Sequence, residues 1–141
     1  MSKTALWSFL AAVSLALVVV TNFTYNNSPS MPVGLYRPTH EPWERGSLVL
    51  LKMPIKRIAA LPGDHVEMTP AGIYREGRLI PNTAPVAGLP HCPFGHYTVP
   101  ADMFLALGEV PDSWDGRYIC FLPESLIAST TKPVWTKGAA Q

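Results

Sequence analysis

Residues 47–70 decide the fold, and they read SLVLLKMPIKRIAALPGDHVEMTP. Two apolar runs, SLVLLKM (47–53) and IKRIAAL (55–61), are separated by Pro54. The LPGD that follows predicts a tight turn, because proline presets φ and glycine accepts positive φ. Apolar and polar residues then alternate over 65–68, which is the period of a half-buried strand. The stretch therefore predicts short β-strands joined by tight turns.

The chain after residue 25 has the same character. GIYREGRLIPN (72–82) predicts a hairpin with Glu76 and Gly77 at its tip, followed by a Pro/Gly-rich loop over 81–95. HYTVP, MFLALG and RYICFLP predict further strands, and ESLIAST (124–130) has a hint of helix. The predicted fold class is mostly β, with a strongly bent or closed antiparallel sheet.

Composition limits the classes of partner. A length of 141 residues suits one domain with a short appendage. The net charge is +1, so no basic field favours nucleic acid as a partner. The 15 prolines and 10 glycines are spread among apolar runs, a pattern typical of strands and turns and not of disorder. No cofactor is predicted.

The N-terminus differs from the rest. No charged residue occurs between Ala5 and Val20, and a helix over that run rises roughly 24 Å. Extending it to Tyr25 completes a span of the roughly 30 Å hydrocarbon core. A cleavable signal sequence is the alternative, but VVVTNFTYNN offers no small-residue cleavage pattern. Residues 1–25 are therefore predicted to be a retained membrane anchor, and residues 26–141 the folded domain.

The two cysteines, Cys92 and Cys120, leave two interpretations open. They form a disulfide if the domain lies outside the cytoplasm, or they remain two buried thiols. His91 and His96 flank Cys92 closely, but three ligands without a usual zinc spacing do not indicate a metal centre. No metal site is predicted.

Ser30 and Lys56 are the residues with candidate chemistry. Ser30 lies between Pro29 and Pro32, which stiffen its backbone. A serine hydroxyl needs a neighbouring base, and the four histidines have no familiar triad motif around them. Lys56 lies among apolar residues and can serve as a base if burial lowers its pKa by about 3 units. Taken singly, the ordinary interpretation of each residue is a turn serine and an edge-strand lysine.

Three motifs in order change that interpretation. SMP around Ser30, KRIAALPGD (56–64) and GEVPDSWDGRY (108–118) together resemble the type I signal peptidase family. SMPVGLYR (30–37) is similar to its conjugative-transfer branch, which matures pilin subunits. The resemblance implies a coiled, barrel-like antiparallel β-sheet with one N-terminal transmembrane helix.

The resemblance implies a role for each matching residue. Ser30 would be the nucleophile and Lys56 the general base, while the Ser28 hydroxyl and the Ser30 N–H would form the oxyanion hole. In support, Ser113 would orient the lysine amine in front of a structural ion pair between Asp115 and Arg117.

Two positions depart from the family pattern. Gly116 stands where serine is common, and Gly46-Ser47 replaces a Gly-Asp pair.

The implied function is a serine endopeptidase of the inner membrane, single-pass, with its catalytic domain in the periplasm. Its partners would be the lipid bilayer and a membrane-bound, pilin-like precursor. Whether water or an amine resolves the acyl-enzyme, giving hydrolysis or cyclisation, is left open. One alternative is a non-enzymatic anchored β-module of a pilus or secretion complex, in which Lys56 would be charged near pH 7. Another is a self-cleaving repressor-type Ser/Lys protease, which the apolar N-terminus disfavours.

Overall fold

The computed structural model describes residues 2–52 and 54–137. Its elements, in chain order, are α1 (Lys3–Asn22), β1 (Thr24–Asn26), β2 (Val33–Thr39), β3 (Leu48–Leu51), β4 (Lys56–Ala60), β5 (His65–Thr69), β6 (Gly72–Arg75), β7 (Arg78–Leu79), β8 (Gly95–Thr98), β9 (Met103–Leu107), α2 (Gly116–Ile119), β10 (Leu122–Pro123), a 3₁₀ turn (Glu124–Leu126) and β11 (Ile127–Lys137).

Helix α1 is long and apolar enough to cross a membrane, with a mean hydropathy of 2.1. It begins at the Ser2 cap, whose hydroxyl accepts the Ala5 N–H at 3.2 Å, and it buries none of its residues against the domain. The predicted apolar helix is thus present, but it ends at Asn22 and not at Tyr25. The predicted boundary after residue 25 falls inside β1, and the assignment of residues 1–25 as an anchor remains a prediction.

The predicted mostly β fold is confirmed. Seven strands form one sheet in the order β1-β2-β11-β3-β4-β9-β10, and four form a second in the order β7-β6-β5-β8. The paired strands of the described residues run antiparallel. Register shifts interrupt the pairing of β11 with β2 and β3, and of β4 with β9. Such irregularities bend strands and increase their twist, so the larger sheet curls.

The core joins the two sheets and supports the segment between β1 and β2. Its largest cluster combines residues of β4 and β9 with residues of β5 and β6, including Ala60, Leu105, Val66 and Ile73. A separate cluster contains Met31, Tyr36 and Ile55, each 1% exposed or less. Met31 is the neighbour of Ser30, so this second cluster fixes the backbone beside the serine.

Three predictions of local structure need comment. The hairpin tip is confirmed, with positive φ at Glu76 and Gly77. The strand predicted at 47–53 is β3, Leu48–Leu51, and Met53 lies outside the described residues. RYICFLP was wrongly predicted as a strand throughout: Asp115 caps α2 by accepting the Arg117 N–H, and the helix ends at Cys120.

The C-terminal strand β11 and the first two strands, β1 and β2, were not predicted. ESLIAST is one 3₁₀ turn followed by β11, an 11-residue strand that pairs with both β2 and β3. The hint of helix holds only for the 3₁₀ turn, Glu124–Leu126; from Ile127 onward β-branched residues and long-range pairing stabilise a strand instead. Pairing of β1 with β2 places Thr24 opposite Tyr36 and Asn26 opposite Gly34.

Cys92 and Cys120 form a disulfide, which decides between the two interpretations of these cysteines. The Cys92 N–H also donates to the Arg117 carbonyl at 2.8 Å. The disulfide therefore ties the end of the 81–95 loop to the short helix α2, and it commits the Cys92 sulfur to a covalent bond.

Candidate active site

Ser30 lies in a tight connection between β1 and β2, within a segment that we call the serine loop (residues 28–32). Ser30 is 5% exposed, and its carbonyl accepts the Glu109 N–H at 2.5 Å. Its hydroxyl lies 2.8 Å from the Ser28 hydroxyl, which also accepts the Ser30 N–H at 3.4 Å. The hydroxyl of Ser28 and the N–H of Ser30 are thus adjacent donors beside the Ser30 oxygen.

Lys56 is the first residue of β4 and is 5% exposed. Its Nζ donates to Ser113 Oγ at 2.5 Å. Burial lowers the pKa of the Lys56 amine below the ordinary value of 10.5, because the charged form loses its hydration; the Asp115 charge opposes this lowering of the pKa and the Arg117 charge adds to it. Burial dominates, so a larger neutral fraction is available at a given pH than for an exposed lysine.

Asp115 and Arg117 form an ion pair at 2.6 Å, with side chains at most 1% exposed. The guanidinium also donates to the carbonyls of Gly108 and Val110, and the Asp115 carboxylate accepts the Gly108 N–H at 2.7 Å. These bonds fix the backbone before Ser113, and the bond from the Arg117 N–H to Asp115 fixes the backbone after it. The ion pair thereby holds Ser113, the hydrogen-bond partner of Lys56, in place.

Gly108 is a site residue that the sequence motifs did not single out. A Cβ at this position would lie 2.2 Å from Ser113 Oγ and 2.8 Å from the Ser30 carbonyl oxygen. Only glycine lets the Ser30 and Ser113 segments approach this closely. The sequence signal was present, since this glycine opens the GEVPDSWDGRY motif, but nothing in the sequence gave it a steric reason.

The predicted residues meet at one cavity of about 270 Å³. Its buried or half-buried polar lining comes from Ser28, Ser30, Lys56, Ser113 and Asp115, and Arg117 lies behind it. Two exposed charged residues, Lys52 and Asp112, also line the cavity. Its walls are otherwise mainly apolar and come from Leu51, Val110, Ile119, Leu122 and Leu126, with the exposed Trp114 beside them. Ser30 and Lys56 therefore share this cavity. Within the described residues, the Ser30 hydroxyl bonds to the Ser28 hydroxyl and the Lys56 amine bonds to the Ser113 hydroxyl.

A larger groove of about 1200 Å³ lies elsewhere, lined by Arg45, Arg57, Arg78 and Glu109 among others. It contains none of the predicted site residues. Two of its arginines are already paired, Arg57 with Glu109 and Arg45 with Asp64. The smaller cavity holds the convergent serines and the buried lysine, so we regard it as the candidate active site.

Comparison with known proteins gives the family. The model of the family described as signal peptidase, peptidase S26, matches residues 2–136, and the chain belongs to this family. The plasmid transfer protein TraF of Escherichia coli is 29% identical over 144 residues, covering 79% of this chain and 81% of that protein. The conjugal transfer protein TraF of Agrobacterium tumefaciens (strain 15955) is 29% identical over 164 residues, covering 91% and 90%.

Signal peptidases are also similar to this chain. The probable signal peptidase I-2 of Synechocystis is 34% identical over 83 residues, covering 57% of this chain and 38% of that protein. A crystal structure of a signal peptidase I from Enterococcus faecalis V583 has a TM-score of 0.46 and 20% identity, covering 65% of this chain and 98% of that chain. The relatives support the predicted resemblance to the conjugative-transfer branch of the family.

Proposed function

We propose that this protein is a membrane-anchored serine endopeptidase that cleaves exported precursors, in particular pilin propeptides of a conjugation system. Ser30 is the nucleophile and Lys56 the general base. Helix α1 anchors the chain in the inner membrane as a single span, and the β-domain lies in the periplasm. Family membership and the TraF relatives support a peptidase role in conjugative transfer.

One observation carries the proposal. Ser30 and Lys56 are each 5% exposed, far apart in sequence, and line the same small cavity. Among the described residues no carboxylate bonds to the Lys56 amine, so burial destabilises its charged form and favours its neutral form. Its lowered pKa is what a general base needs near neutral pH.

Acylation follows from this arrangement. The neutral Lys56 amine takes the proton from Ser30 Oγ as that oxygen attacks the substrate carbonyl. The negative charge that develops on the carbonyl oxygen is stabilised by the Ser30 N–H and the Ser28 hydroxyl, which first exchange their mutual hydrogen bond for the substrate. The Lys56 ammonium then gives its proton to the leaving amine, which leaves an ester on Ser30. Loss of one oxyanion donor typically slows such a step by about 100- to 1000-fold.

Deacylation uses the same groups. Lys56 removes a proton from the incoming nucleophile, which attacks the ester carbonyl, and the proton returns to Ser30 Oγ. Water as the nucleophile gives a free carboxylate and completes hydrolysis. An amine of the same polypeptide gives an amide and closes a ring, with a product lighter by one water.

The substrate would approach along the membrane surface. A precursor with a helix in the bilayer presents an extended segment at about the height of α1's end. The cavity is small and its walls are mainly apolar, so it suits small side chains in that segment.

The test is cleavage of a pilin-type precursor by the full-length protein in detergent, followed by intact mass. Wild type should cut, while Ser30→Ala and Lys56→Ala should both lose at least about 1000-fold in rate. Near-UV circular dichroism establishes that both variants are folded. A product lighter by one water than the linear fragment would assign cyclisation.

Ser125→Ala is the matched control, because Ser125 is exposed and lies in the 3₁₀ turn. It should cut like wild type. If Ser30→Ala and Lys56→Ala cut as fast as wild type, the dyad is wrong. If wild type cuts neither the pilin-type precursor nor a secretory precursor with small residues at its cleavage site, the chain is the non-enzymatic module.

A further inference from the structure

Asn26 is a buried polar residue at the end of β1, and neither the sequence motifs nor the mechanism above uses it. It is 5% exposed. Its Nδ2 donates to three carbonyls of the serine loop: Ser28 and Met31 at 3.1 Å each, and Pro32 at 3.2 Å. Its Oδ1 accepts the Ser28 N–H at 3.2 Å. One side chain thus bonds to the backbone on both sides of Ser30.

These contacts supply donors to the buried carbonyls of the serine loop. The connection between β1 and β2 is short, and it turns several carbonyls toward its own interior. Buried carbonyls without a donor are destabilising, and the two prolines of the loop, Pro29 and Pro32, have no N–H to offer. An asparagine amide carries two donors and one acceptor on a short stem. Asp has the same shape and can still accept the Ser28 N–H, but it has no N–H to donate to the three carbonyls.

Tyr36, on strand β2, also bonds to the serine loop. Its hydroxyl donates to the Pro32 carbonyl at 2.6 Å, the same oxygen that Asn26 contacts. Burial raises the pKa of the Tyr36 hydroxyl above 10.0, which keeps it protonated as a donor. The loop is therefore held between β1 and β2 by side chains, while Ser28 and Ser30 face the cavity.

We propose that Asn26 is a positioning residue for the acylation step. Its amide fixes the serine loop so that the Ser30 hydroxyl, the Ser30 N–H and the Ser28 hydroxyl converge on one substrate carbonyl. The inference rests on the proposed function, since it concerns the same nucleophile. It also makes the end of the apolar helix part of the active-site framework, because Asn26 follows α1 by a few residues.

The experiment is a stopped-flow burst with N-acetylalanine p-nitrophenyl ester on the full-length protein in detergent. Where deacylation is much slower than acylation, the burst amplitude counts competent sites and the burst rate constant reports acylation of Ser30. Asn26→Ala and Asn26→Asp should keep the wild-type amplitude and lower the rate constant by about 100-fold, the effect of misplacing a nucleophile by about 1 Å. Asn27→Ala, at the exposed neighbouring position, should stay within about two-fold of wild type.

Each other outcome overturns the inference in a distinguishable way. A wild-type rate constant in both Asn26 variants makes the contacts irrelevant to acylation. A reduced amplitude with a wild-type rate constant, or loss of folding in both variants, makes Asn26 a structural residue only. A wild-type protein without a burst that depends on Ser30 overturns the proposed function itself, and this inference with it.

Discussion

Lys56 Nζ lies 2.5 Å from Ser113 Oγ, across 57 residues of sequence, and both side chains are buried. The bond joins the first residue of β4 to the segment that the Asp115–Arg117 ion pair fixes. A lysine amine on a flexible stem has several rotamers, and a buried hydroxyl that accepts from it selects one. Ser113 therefore sets the direction in which the free electron pair of a neutral Lys56 points.

Replacing Ser113 by alanine should lower kcat by about 10- to 100-fold, the range expected for loss of one buried hydrogen bond to an amine. KM should change by less than about two-fold, because the substrate does not lose a partner. Initial rates on a soluble peptide substrate separate the two constants. Unchanged kcat in a folded Ser113→Ala protein would mean that Lys56 is oriented by something else.

Burial of Lys56 should cost stability, and the cost should depend on pH. At low pH both the folded and the unfolded chain hold the proton, so the folded state carries the full penalty of a buried ammonium. Above the lowered folded pKa the folded state has lost its proton while the unfolded chain, with a pKa of about 10.4, still binds one. The unfolded state then binds more protons, so wild-type stability rises with pH through that window.

Lys56→Met removes the penalty and should therefore stabilise the fold while abolishing activity. Near neutral pH we expect a gain of at least about 1 kcal/mol, or about 4 °C in Tm. The gain should shrink as pH rises toward 10. Thermal melts of Lys56→Met and of the exposed-site control Lys137→Met across this range measure it. A gain that grows with pH would contradict a lowered pKa.

The buried and the exposed ion pairs should contribute very different amounts to the free energy of unfolding. Arg117 is buried, and besides Asp115 it donates to three backbone carbonyls, so Arg117→Lys leaves several acceptors without partners. We expect it to lower the free energy of unfolding by about 3 kcal/mol. Arg57→Lys, in the 2.8 Å pair with Glu109 whose partners are each 45% exposed, should cost less than about 1 kcal/mol. Urea titrations of both variants make the comparison, and equal losses would remove the supporting role assigned to Arg117.

Sequence reasoning succeeded where the signal was local. The alternation around β5 and the Glu76-Gly77 tip are short-range patterns, and both were predicted. The motifs also selected Ser28, Ser30, Lys56 and Ser113, which line one cavity, although their catalytic roles remain predictions.

Features that depend on long-range contacts were not predicted from the sequence. Strand β11 pairs with β2 across about ninety residues, as in the 2.7 Å bond between the Thr39 and Thr130 hydroxyls, which are 91 residues apart. No local pattern specifies such a partner. Asn26 was missed for a related reason: its side chain bonds to backbone carbonyls, which every residue has, so no residue type in the sequence marks the contact. The Cys92–Cys120 spacing could not distinguish a disulfide from two thiols, because only the fold brings the two sulfurs together.

The junction between helix and sheet gives the last prediction. A single residue, Phe23, separates α1 from β1, and β1 is paired with β2 at Thr24 and Asn26. The height of Ser30 above the end of the helix is therefore fixed by paired strands. Ten Gly/Ser residues inserted between Phe23 and Thr24 would add a flexible link of about 17 Å and leave β1 intact.

Such an insertion should lower cleavage of a membrane-embedded precursor by at least about ten-fold, because the distance between the anchor and the active site is no longer fixed. Cleavage of a soluble peptide with the same cut sequence should stay within about two-fold, since the serine loop and Asn26 are untouched. The same ten residues inserted after Gly77, at the exposed hairpin tip, are the control and should affect neither substrate. If the Phe23 insertion slows both substrates equally, the junction acts on the serine loop itself and does not set its distance from the bilayer.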